Sequence, residues 1–284
     1  MSYRYRLLRF PEGKYKAVTF SYDDGVKDDI RFAETMDKYG LKATFNINTV
    51  NAPNKLTAEQ IKEHIIDHGH EVALHGLHHV ASGAASPTDC IKDALFCRLE
   101  LESAFDMIIR GMAYPDTGIR RYANGNNYET VRNSLKSLGI AYARTLGADN
   151  DNFDLPQDFY AWLPTAHHNH PKIFEYIEKF KALRRDSYPY PSGRWAKLLY
   201  IWGHSYEFER QGNWDHLEKI CELVSGQDDV WYATNIEIYD YINAYNSLVL
   251  SADGNTIYNP TLKTIWFTLD YDDFVIHPGE TLKV

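Results

Sequence analysis

The feature that most constrains this chain is an alternation. From Ala17 to Tyr245, short β-prone runs take turns with amphipathic stretches of helical period, and turn residues separate them. The runs expected as strands are Ala17–Tyr22, Lys42–Asn48, His70–Leu74, Ile108–Tyr114, Ile140–Thr145, Phe159–Pro164, Leu198–Trp202 and Val230–Ile236. Helices are expected over Asp28–Tyr39, Thr57–His68, Thr88–Phe105, Tyr128–Leu138, Pro171–Leu183, Trp214–Val224 and Glu237–Tyr245. Thr57 with Gln60 three residues on is a capping-box pattern, and Gly69 closes that helix. Strand-then-helix repetition of this kind gives an α/β architecture of parallel strands, and seven or eight units point to a (β/α) barrel rather than an open sheet. No G-x-G-x-x-G or Walker pattern follows any strand to argue for nucleotide binding.

After Tyr245 the character changes. The remaining runs are short, β-prone and separated by Asp253-Gly254, Asn259-Pro260 and Pro278-Gly279. The expected organisation is a barrel over residues 1–245 and a small all-β appendage over 246–284, packed on the barrel and pairing with Tyr3–Phe10.

Charge narrows the partners. With 39 acidic and 30 basic residues the net charge is -9, which disfavours a nucleic-acid backbone and an anionic membrane surface. No apolar run is long enough to span a bilayer, and the N-terminus lacks an apolar leader core. The expected location is the cytoplasm for the chain as sequenced, or outside the cell if a leader was removed. Oligomerisation stays open. Cys90, Cys97 and Cys221 lack C-x-x-C spacing and read as core thiols. The 21 Tyr and 6 Trp suit sugar rings as well as ordinary cores.

In a parallel barrel, chemistry is built on the loops that follow the strands. After the first expected strand come Asp23-Asp24-Gly25; after the third, His75-Gly76-Leu77-His78-His79; after the fourth, Tyr114-Pro115-Asp116-Thr117-Gly118. Arg144 ends the fifth, His167, His168 and His170 follow the sixth, and His204 follows the seventh, next to Trp202. Seven of the 12 histidines thus fall in three such positions. Two imidazoles and a carboxylate can hold a divalent metal with positions left open, while a second acid stays free as a base and His204 supplies an acid. Taken singly, Asp-Asp-Gly is a turn, His75 and His79 a solvated pair, and His167 and His168 loop residues. Together, at one end of one barrel, they indicate a metal hydrolase. His64, His68 and His70 read as structural.

Asp23-Asp24-Gly25 behind Thr19-Phe20-Ser21-Tyr22, His75-x-x-x-His79, Tyr114-Pro115, and His204 after an apolar strand together resemble the polysaccharide deacetylase superfamily, carbohydrate esterase family four. The resemblance spans Ala17 to Tyr245. It implies a distorted (β/α) barrel and metal-dependent removal of acetyl groups from acetylated sugars or oligosaccharides, amide-linked or ester-linked. By position it makes Asp24, His75 and His79 ligands of zinc, with cobalt or nickel as alternatives, Asp23 the catalytic base and His204 the acid. A main-chain N–H near Tyr114–Asp116 would face the oxyanion. Tyr114, Pro115, Asp116, Trp162, His167, His168 and Trp202 are the expected substrate side.

Two departures stand out. The arginine that tethers the base in the family is replaced here by Ala113 or Tyr114, and Arg144 is the candidate to reach the same carboxylate. Trp162 matches the tryptophan of the family's fourth motif, but the aspartate partner of the catalytic histidine is open among Asp149, Asp151 and Asp158. Two other readings remain: an amidohydrolase opening a cyclic amide or ureide on the same scaffold, and a non-catalytic carbohydrate-binding protein.

Overall fold

In the computed structural model, which describes residues 4–284, strand β1 (Arg6–Arg9) precedes a parallel sheet. That sheet is built from β2 (Lys16–Asp23), β3 (Ala43–Ile47), β4 (Glu71–Leu74), β5 (Gly111–Ala113), β6 (Tyr142–Arg144), β7 (Ala166–His167), β8 (Lys197–Gly203) and β9 (Val230–Tyr232). Its order is β6-β5-β4-β3-β2-β8-β7, and β9 pairs with the start of β2. Every pairing within it is parallel. The sheet curls into a distorted barrel. One segment then closes the gap between its outer strands: Trp162 N–H donates to Ala143 O and Thr145 N–H to Trp162 O on the β6 side, while Thr165 N–H donates to Tyr200 O on the β8 side.

Between the strands run α1 (Asp29–Lys38), α2 (Ala58–Ile61), α3 (Pro87–Phe105), α4 (Tyr128–Ser137), α5 (Ile173–Ala182), α6 (Tyr206–Gln211), α7 (Trp214–Val224) and α8 (Asn235–Asn246). No helix among the described residues is long and apolar enough to cross a membrane.

The period-2 pattern of the strands decides what faces what. Val18, Phe20 and Tyr22 of β2, with Phe45 and Ile47 of β3, join the apolar core beneath the helices. Phe32 of α1 packs there, 3.7 Å from the Tyr22 ring and 5.8 Å from that of Phe45. Burying each such side chain contributes roughly 1.5–3 kcal/mol. The intervening residues are polar and line the barrel's interior. Thr19 donates to Asn235, Asn235 to Tyr200 Oη, Thr44 to Glu71, and Asn46 to Ser21 and Asp23. Continuing the same phase, Asp23, Arg144 and His204 come to the interior at one end of the barrel.

Beyond α8 lie β10 (Val249–Leu250), β11 (Thr256–Tyr258), β12 (Ile265–Leu269), β13 (Asp272–Ile276) and β14 (Thr281–Lys283). They form two antiparallel sheets, β10-β11-β14 and β1-β12-β13. The expected pairing of the chain's first residues is seen over Arg6–Arg9, and Tyr3 lies outside the described residues. α8 links barrel and sheets: Tyr241 Oη donates to Arg9 O and accepts Trp266 N–H, and Tyr245 Oη donates to Arg6 O.

Three expected elements differ. Phe159–Pro164 is not a strand: Asp158 accepts Tyr160 N–H at 2.8 Å and starts a tight turn at Phe159–Ala161, and the strand comes later as β7. The run from Val230 ends at Tyr232 because Thr234 and Glu237 form a capping box that opens α8. The Thr57 helix does begin with its capping box, but after Ile61 its bonds lengthen to i→i+5, as from Asp67 N to Lys62 O. All three cysteines are free and buried.

Candidate active site

Asp23 and Asp24 are neighbours, and neighbours along a strand point to opposite faces. The chain escapes this by turning. Asp23 is the last residue of β2, Asp24 leaves it at φ 88°, and Gly25 follows at φ 62°. Both carboxylates therefore approach one imidazole: His75 Nε2 lies 3.9 Å from Asp23 Oδ2 and 3.9 Å from Asp24 Oδ1. His79 Nε2 is 3.8 Å from the same Asp24 oxygen, and ligand atoms of Asp24, His75 and His79 all fall within 4.8 Å of one another. The loop that carries the histidines needs Gly76, at φ 67°, where a Cβ would run into Asp93 and Pro115. Asp93, on α3, accepts the His78 N–H at 2.7 Å and pins the loop.

The ring nitrogens show whether a metal fits. His75 Nδ1 lies 3.0 Å from the carbonyl of Ala113, which can only accept. Nδ1 therefore carries the proton and Nε2 turns its lone pair to the cluster. Burial holds this ring below the ordinary histidine pKa, in the neutral form that a metal requires. One carboxylate and two imidazoles with open sides suit a divalent cation.

Asp23 is held differently. It is 2% exposed, with Arg144 Nη2 at 2.6 and 2.5 Å from its two oxygens and Asn46 Nδ2 at 2.9 Å. Burial alone would raise its pKa; Arg144, His75 and His204 outweigh that and keep the group below the usual carboxylate value. Arg144 is wholly buried, with its guanidinium 4.7 Å over the Trp202 ring. His204 Nε2 is 3.9 Å from Asp23 Oδ2. Burial opposes a charge on His204, but Glu207, Asp23 and Asp24 prevail and raise its pKa. Asp29 fixes the relation between the two loops by accepting Val26 N–H at 2.9 Å and Ser205 Oγ–H at 2.6 Å.

The sequence matches the profile described as polysaccharide deacetylase over residues 10–143, the stretch that holds Asp23, Asp24, His75 and His79. The match takes in a little under half of the chain, and the family it supports is the polysaccharide deacetylase superfamily. Its members are hydrolases that take acetyl groups from carbohydrates, and pseudoenzymes occur among them. Among solved structures, one from Mycobacterium smegmatis described as a polysaccharide deacetylase is 18% identical with a TM-score of 0.53, over 84% of this chain and 94% of that one. The Xyl-CE4 domain of a multidomain xylanase from the hindgut metagenome of Trinervitermes trinervoides is 16% identical with a TM-score of 0.50, over 81% and 92%. Both likenesses concern the fold. No curated protein matches.

Against the superfamily pattern, the tethering arginine has moved. Arg144 reaches the aspartate from β6, one residue beyond the profile match. None of Asp149, Asp151 and Asp158 partners His204: Asp149 accepts His167 N–H, Asp151 pairs with Lys179, and Asp158 takes Tyr128 Oη–H. The carboxylate that does lie beside His204 Nδ1 is that of Glu207, with Oε1 3.5 Å away.

Several expected substrate residues are out of reach. Trp162 is 1% exposed, wedged edge-on among Tyr142, Phe159 and Tyr200, where it seals the barrel. His168 is wholly buried, stacked on Phe208. Tyr114 and Pro115 are buried, Tyr114 N–H donates to Arg144 O, and its hydroxyl donates to Tyr160 O. Of that triplet Asp116 alone is exposed, at φ 50°. Trp202 and His167 stay partly accessible, their rings 4.7 Å apart. Asn46, Asp93 and Lys55, whose Nζ donates to Asp24 O at 2.6 Å, went unnoticed in the sequence because each acts through another residue. A cavity of about 490 Å³ lined by Tyr15, Arg184, Trp266 and Phe274 holds none of these groups, so convergent chemistry rather than hollow volume marks the site.

Proposed function

We propose that this protein removes acetyl groups from an acetylated carbohydrate, linked as amide or ester, with a divalent metal held by Asp24, His75 and His79. The observation that carries the reading is the unequal treatment of two adjacent carboxylates. Both lie 3.9 Å from His75 Nε2, but Asp24 also meets His79, whereas Asp23 is tethered by Arg144 and faces His204. Zinc suits this donor set, with cobalt and nickel as alternatives. Bound there, the cation would supply Lewis acidity toward a carbonyl oxygen and toward water.

The chain's own residues do the rest. Asp23, ionised and oriented by Arg144 and Asn46, accepts the proton of the attacking water. His204 gives a proton from Nε2 to the departing nitrogen or oxygen. The exposed Asp116 N–H is the main-chain donor left to face the oxyanion, since Tyr114 N–H is engaged and Pro115 has none. Trp202 and His167 border the approach to the site.

Acetate release from N-acetylglucosamine oligomers and from acetylated xylan tests the proposal, before chelation, after it, and after adding back zinc, cobalt or nickel. Release is expected only with metal, and His79→Ala should lower metal content by elemental analysis. Release that survives full metal removal, or no release from any acetylated sugar by the metal-loaded protein, would overturn it.

A further inference from the structure

His204 is met from behind by a second histidine cluster. Glu207 opens α6, three residues on. Its Oε2 lies 3.1 Å from His167 Nε2 and 3.0 Å from His168 Nε2, and its Oε1 lies 3.5 Å from His204 Nδ1. By composition this is a metal site, and ligand atoms of His167, His204 and Glu207 fall within 4.8 Å of one another. The protons argue otherwise. His167 Nδ1 accepts the Asn169 main-chain N–H at 3.1 Å, so the proton of the neutral ring is on Nε2. That nitrogen faces Glu207 as a donor, with no lone pair for a cation. His75 is the reverse case, with Nδ1 donating and Nε2 free.

The rest of the cluster is rigid. The His168 ring is buried with its centroid 4.2 Å from that of Phe208, its Nδ1 lies 3.1 Å from Tyr22 Oη, and its main-chain carbonyl meets His216 Nε2 at 2.8 Å. The ring nitrogens of His167, His168 and His204 all approach Glu207 off the hydrogen-bond axis. Such loose contacts are common before substrate binds and tighten in the working complex.

We propose that His167, His168 and Glu207 form a proton-bearing clamp, not a second metal site, in which Glu207 holds His204 by its Nδ1–H and turns Nε2 toward Asp23. Glu207 is thus a positioning residue. It takes the place expected of Asp149, Asp151 or Asp158, and His167 and His168 fix its carboxylate. The inference rests on His204 being the acid of acetyl hydrolysis.

The test uses the zinc-loaded full chain. Long-range 1H–15N spectra recorded at a pH where the His204 ring is neutral should show it as a single Nδ1–H tautomer, and Glu207→Gln should convert it to a mixture. In that variant kcat on an N-acetylglucosamine oligomer should fall about 10²-fold, with KM within about threefold. Zinc should stay at one ion per chain in wild type and variant alike. Two ions per chain, falling to one in Glu207→Gln, would overturn the clamp; so would an unchanged His204 tautomer and unchanged kcat in the folded variant. If Glu207→Gln does not fold, His167→Ala gives the same readings at a side chain that is 21% exposed. The tautomer and the metal count need no turnover, so a protein that releases no acetate sinks the deacetylation reading and leaves the clamp to be judged alone.

Discussion

Two carboxylates are buried inside this barrel, one toward each end, and they are treated in opposite ways. Asp23 has a guanidinium on both oxygens and two imidazoles nearby. Glu71 of β4 has three neutral donors: Tyr142 Oη–H and Thr44 Oγ1–H, each at 2.7 Å, and Ile236 N–H at 2.9 Å near the start of α8. Burial pushes Glu71 up to about 7, whereas Arg144 keeps Asp23 below its ordinary value. Burial is common to both, so burial is not what makes an acid available for chemistry. The paired cation is, because without one a buried acid tends to neutralise itself. Glu71 works as a plug that ties β3, β4, β6 and α8 together; Asp23 stays charged beside His75 and His204.

The largest effect should come from removing the charge and keeping the shape. Asp23→Asn is expected to retain its zinc and lose about 10²–10⁴-fold in turnover. Wild-type acetate release by that variant would erase the contrast with Glu71. Next is the cation itself. Arg144→Met leaves Asp23 buried and uncompensated, at a cost of about 3–5 kcal/mol in denaturant unfolding. A change under about 1 kcal/mol would mean that solvent already screens the pair.

The smallest effect belongs to the plug. Glu71 has a folded pKa of about 7 against 4.5 for the free side chain, so between those values the folded state holds the proton that the unfolded state has lost. Its contribution therefore falls as pH rises from 4.5 to 7, and the penalty is complete above that window. Glu71→Gln should gain on wild type across the same window, by about 2–4 °C in Tm for each kcal/mol removed. A difference that shrinks with rising pH would show Glu71 to be ionised in the fold.

Much of this was legible in the sequence, and the illegible parts share a cause. Alternation gave the barrel, because β-prone runs and helical periods are local signals. Asp24, His75 and His79 could be picked out because each sits just beyond a strand. Arg144 could be offered as the tether of Asp23 only through the family resemblance, which calls for an arginine there, and because it ends a neighbouring strand. Glu207 could not be assigned as the partner of His204. Its i+3 position matters only once α6 starts there, and six residues are too few to show a helical period. Trp162 misled for the opposite reason: an aromatic in a familiar place looks like a sugar platform, and nothing local says that its main chain is needed to join β6 to the far side of the barrel.

The β1-β12-β13 sheet takes one strand from before the barrel and two from after it. During synthesis β1 leaves the ribosome ahead of every barrel strand, with Leu7, Leu8 and Phe10 destined for the core but nothing yet to cover them. Its partner β12 arrives only when β2 to β9 are already made. Closing the base is therefore a late event of high sequence separation, the slow kind of contact. Until it happens, an unpaired strand edge stays open to other chains, which makes the last forty residues a safeguard for the first ten.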